Sequence, residues 1–78
     1  MARFYFQFRE GAQARDTVGL ELGNVEEARR EAITSIMEIA KGDIPASERK
    51  EWIVNVHDDT GPVLEVRLTL NVTTTPRS

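Results

Sequence analysis

The sequence predicts a two-layer α+β domain, ordered β-β-α-β-β, in which one helix packs on one face of a four-stranded antiparallel or mixed sheet. Three observations lead there. Residues 24–42 read as one amphipathic helix with both ends marked. Before it, Phe4, Phe6 and Phe8 alternate with Tyr5, Gln7 and Arg9; after it, two alternating runs flank Asp58-Asp59-Thr60-Gly61. A chain of 78 residues has room for one such core, which sets a single domain over residues 1–72 and a flexible tail over residues 73–78.

Alternation puts the three phenylalanines of the first strand on one face and a mixed polar set on the other, so this strand covers a core. Glu10-Gly11 marks a turn, Ala12 to Asp16 a weaker returning strand, and Val18-Gly19 a bend before Leu20 and Leu22. Asn24 is the N-cap of the helix, and Glu27 stands where its carboxylate can reach back to the cap's own N–H. Glu26, Glu27 and Lys41 suit the helix dipole, and Gly42 supplies a left-handed end.

At about 100° per residue, Ala28, Ile39, Ala32, Val25, Ile36, Ala40, Ile33 and Met37 form a stripe over roughly half the circumference. Arg29 falls inside that stripe. Its stem can snorkel to water, or its guanidinium can pair with Asp16 or Glu21 and pin the helix start to the preceding loop.

Asp43 to Glu51, with Pro45, is a connector with room for one helical turn, and Trp52 to His57 and Val63 to Val72 form the closing hairpin. A four-residue loop with His57 opposite Pro62 would set Val54 against Glu65, so apolar residues would meet polar ones throughout. A three-residue loop, Asp59-Thr60-Gly61, sets Val56 against Leu64, Val54 against Val66 and Trp52 against Leu68. It also places Asp58 first in a type I turn and Gly61 at a left-handed bulge. In that register Leu70 and Val72 would face Lys50 and Glu48, in the connector. Their cover must come from the first hairpin or from a second copy adding a strand.

Ten basic and thirteen acidic residues give a net charge of -3, the wrong sign for unaided attraction to nucleic acid or anionic lipid. Cysteine is absent, which excludes disulfides and sulfur-rich zinc sites. Met1 to Glu10 holds no long apolar run, so the expectation is a cytoplasmic chain without a membrane segment. His57-Asp58-Asp59 is the one cluster with catalytic residue types, but a single histidine beside two aspartates suits a turn better than a metal or a general base. No serine is placed with a base, and the five glycines lack phosphate-loop spacing. The expectation is therefore no catalytic residue, no cofactor and no metal.

The surfaces left over are the polar sheet face and the overhanging strand. The candidate interaction residues are Tyr5, Gln7, Arg9, Ile53, Asn55, Arg67, Leu70 and Val72. They suggest a non-enzymatic interaction or assembly module whose partner is a second copy, an unidentified protein being the other possibility. The alternative is an antitoxin-like or nucleic-acid-associated regulatory module working beside a basic partner that corrects the charge, since net charge opposes nucleic acid and Glu65 dilutes the Arg3, Arg9 and Arg67 that would flank Tyr5.

Four segments carry a resemblance: Met1-Ala2-Arg3-Phe4-Tyr5-Phe6, Asp16-x-x-Gly19-x-Glu21-Leu22, Glu27-Ala28-Arg29-x-Glu31-Ala32 and Val56-x-Asp58-x-x-Gly61. By these the chain resembles a family of short bacterial proteins known as domain of unknown function 6894, across nearly its whole length. Relatives often have Asp-Gly where this chain has Glu10-Gly11, and the Thr-rich end from Thr69 to Ser78 is particular to it. The family has no assigned activity, so the resemblance carries over no catalytic residue. A looser likeness, of topology and a Glu-Ala pair opening the helix, is to antitoxins of the HicB type.

Overall fold

The computed structural model describes residues 2–10, 13–42 and 49–76. It contains β1 (Ala2–Glu10), β2 (Gln13–Leu22), α1 (Val25–Gly42), β3 (Arg49–Asp58) and β4 (Gly61–Asn71). The four strands form one sheet in the order β2-β1-β3-β4, antiparallel at every junction. α1 therefore carries the chain from the β2 edge across β1 to β3 and lies mainly over β3 and β4.

The core follows from two periodicities meeting. Phe4 and Phe6 of β1 and Trp52, Val54 and Val56 of β3 point to one side at a period of two, and Ala28, Ala32 and Ile36 meet them at helical spacing. All eight are at least 97% buried, and each large one contributes about 1.5–3 kcal/mol of apolar burial. The small Ala28 and Ala32 let the helix backbone come close to the sheet. Phe8 is only partly buried, beside an irregularity between Gln7 and Arg9 where the β1–β2 register slips. The stripe is narrower than its periodicity implies: Val25 is 51% and Met37 59% exposed.

The helix start holds in its main feature and differs in one bond. Asn24 Oδ1 accepts the Glu27 N–H at 2.9 Å, while the Glu27 carboxylate accepts from Gly23 N–H, at 2.5 Å, rather than from the cap's own N–H. Gly42 remains helical, and Gly61 is the glycine with positive φ among the described residues. Arg29 sits 58% exposed and pairs with Glu26 at 3.5 Å, one turn back on its own helix. The Asp16 side chain lies outside the described residues.

β2 is one strand of ten residues, with no bend at Gly19. Gly19 lies opposite Tyr5, and a Cβ there would come within 3.0 Å of the Arg3 guanidinium. The glycine serves a close side-chain approach rather than a turn. β3 begins at Arg49, three residues earlier than the apolar alternation, because Arg49, Lys50 and Glu51 pair with Asn71, Leu70 and Thr69. The Glu10-Gly11 turn is described only to Glu10, and the connector's Pro45 and any helical turn at residues 43–48 lie outside the described residues, as do 77 and 78 of the tail.

The hairpin has the expected body: Val56 opposite Leu64, Val54 opposite Val66 and Trp52 opposite Leu68. Its turn end differs. Asp58 pairs with Gly61 and His57 with Pro62, so two residues close the loop, and the one-residue offset sits between Val56 and His57. Pro62 has no N–H for the ladder, which suits the irregular end of the pairing.

Candidate functional site

The alternation that buries the core leaves a second sheet face away from the helix. Gln7 stands opposite Asn55, Arg9 opposite Ile53, and Ile53 opposite Arg67. Six of the sequence candidates, Tyr5, Gln7, Arg9, Ile53, Asn55 and Arg67, thus form one patch across three strands. Leu70 and Val72 do not join it. They lie at the β4 end, 37% and 48% exposed, and Leu70 faces the helix side.

Leu70 lines an apolar groove of about 340 Å³ with Leu68, Trp52, Met37 and Ala40, between the end of α1 and strands β3 and β4. Trp52 forms its floor. The indole is 3% exposed, its Nε1–H has no hydrogen-bond partner among the described residues, and the Lys50 ammonium lies 5.5 Å from the ring centroid.

Within the His57-Asp58-Asp59 cluster, His57 and Asp58 each contact a neighbour in the sheet or its turn. The His57 ring stacks on Tyr5 with centroids 5.2 Å apart and planes 18° apart. The Asp58 carboxylate accepts the Thr60 hydroxyl at 2.6 Å and the Thr60 N–H at 2.8 Å, and these bonds hold its pKa below the ordinary value. Among the described residues no three His, Asp or Glu side chains converge as metal ligands do.

Charges on the outer face are mixed in sign. Arg67 reaches Glu65 on its own strand at 3.1 Å and Glu51 across the ladder at 3.7 Å. Arg3 lies over Tyr5, 5.7 Å from the ring centroid. Sequence reasoning placed His57 in a turn cluster and Met37 in the buried stripe, but missed that cross-strand register brings His57 to Tyr5 and that Met37 stays exposed. Strand order could have found His57, but strand order is not a local property.

This arrangement defines an α+β domain with one helix on an open antiparallel sheet. The chain belongs to the family described as Domain of unknown function (DUF6894), whose model matches residues 3–69. Neither the curated proteins nor the solved structures returned a match. No helix among the described residues is long and apolar enough to cross a membrane.

Proposed function

We propose that the chain is a non-enzymatic interaction module of the bacterial cytoplasm that assembles with itself through the β4 edge of its sheet. The supporting observation is the state of β4. It is the last strand in the order, eleven residues long, and among the described residues no element lies outside it. Exposed Leu70 and Met37 line the groove beside that edge, and exposed Val72 follows directly after the strand. A long edge of this kind presents N–H and C=O groups to any extended chain, so a partner strand is its natural cover.

Light scattering at micromolar concentration tests the reading. A species of twice 8.8 kDa is expected, and a strictly monomeric one rejects it.

A second reading, nucleic-acid association, is favoured by one observation. Among the residues whose side chains are described, the outer face carries Arg3, Arg9, Arg49 and Arg67 against Glu21, Glu51 and Glu65, whereas the whole chain is acidic. Against it, His57 and Arg3 already occupy the Tyr5 ring that a base would stack on. A gel shift of labelled RNA or DNA that weakens with salt would support this reading instead.

A further inference from the structure

We infer that two copies join β4 to β4 as antiparallel neighbours centred on Val66, and that Glu65 and Arg67 select this register. The inference rests on the self-association reading above and commits to the register that reading leaves open.

The two edges of the sheet are not equivalent. β2 carries Gly19 in its interior, and its ladder slips between Gln7 and Arg9. Both features weaken an edge as a template. β4 is regular from Leu64 to Asn71, its irregularity confined to the turn end. It is the better strand to extend.

Three constraints then meet at one register. When two copies extend one sheet with both helices on the same side, residues facing each other lie on the same face, so their numbers sum to an even value. Gly61–Asn71 overlaps its copy completely only when the centre is the middle residue, Val66. About that centre, Glu65 of each copy stands opposite Arg67 of the other, and Leu64 opposite Leu68. Centring one residue earlier sets Glu65 against Glu65, and one residue later sets Arg67 against Arg67, and like charges directly opposite are destabilising. Two opposite charges flanking one inward-facing residue are self-complementary in a single register. Pro62 would meet Leu70 near the end of the ladder, where a missing N–H removes at most one bond.

The test uses the full chain with Glu65→Arg and Arg67→Glu, each checked for folding by circular dichroism. Both positions are solvent-facing, with side chains 47% and 52% exposed. Each variant alone is expected to weaken self-association roughly tenfold, since two attractive cross-strand pairs become repulsive. Mixing the two variants is expected to restore a dimer of wild-type strength, because every charged pair across the interface is again opposite in sign. Loss of the Glu65–Arg67 contact within one chain could not be repaired by mixing. A monomeric wild type would remove the underlying reading. A dimeric wild type whose variants associate as well as it does, or are not rescued by each other, would overturn the register alone.

Discussion

Tyr5 and His57 face each other on neighbouring antiparallel strands and stack with ring centroids 5.2 Å apart, while the Arg3 guanidinium lies 5.7 Å from the Tyr5 centroid. This pair ties β1 to β3, the junction that joins the two hairpins into one sheet. Cross-strand aromatic pairs contribute beyond the area they bury. A double-mutant cycle of Tyr5→Ala and His57→Ala in urea is expected to give a coupling of about 0.5–1 kcal/mol. Strict additivity would mean the rings are neighbours and nothing more.

Gly19 and Gly61 look alike in sequence and should respond oppositely to alanine. At Gly61 φ is +129° and the surrounding space is open, so the strain is entirely in the backbone. Gly61→Ala is expected to cost about 1–3 kcal/mol, read from the urea midpoint.

At Gly19 φ is ordinary and the tight contact is the flexible end of Arg3, which can move. Gly19→Ala is expected to be neutral or stabilising by up to about 1 kcal/mol, through a less flexible unfolded chain. The Tyr5 ring resonances should shift as Arg3 leaves. A large loss of stability would show that Arg3 cannot yield.

The turn should show acid sensitivity. The Thr60 hydroxyl, and then the Thr60 N–H, hold the Asp58 carboxyl below its ordinary value of 3.8. A lowered folded pKa contributes stability that is fully present above the unfolded value and is lost as pH falls through the folded one. The melting temperature of Asp58→Ala should therefore lie below wild type by a constant gap from neutral pH down to the ordinary carboxylate range. Below pH 3.8 the gap should narrow. A gap independent of pH would place the turn's stability elsewhere.

Packing under the helix gives a graded pair of substitutions. Ile36 is 2% exposed against the sheet, whereas Met37 beside it is 59% exposed. Ile36→Ala is expected to cost about 2–5 kcal/mol in chemical denaturation. Met37→Ala should leave the monomer's stability within about 0.5 kcal/mol. Equal losses would show that the helix is rotated from its described seat.

Much of the fold was legible in the sequence because its rules are short-ranged. The Asn24 cap, the phenylalanine alternation of β1 and the Val54–Val66 register each depend on residues within one turn, one strand or one hairpin. The outward set from Tyr5 to Arg67 follows from the same period of two. Its unity as a patch does not, since that requires β1 beside β3.

What the sequence by itself determined was the order of elements, the side of each strand that meets the helix and the seat of Ala28, Ala32 and Ile36 in the core. Tertiary structure alone decided the rest. It chose the strand order β2-β1-β3-β4, turned Gly19 from a presumed bend into clearance for Arg3, extended β3 back to Arg49 and left Met37 outside. The reason is one of range. Side-chain period and capping act between near neighbours, whereas strand order and the footprint of a helix are set by contacts between segments far apart in the chain.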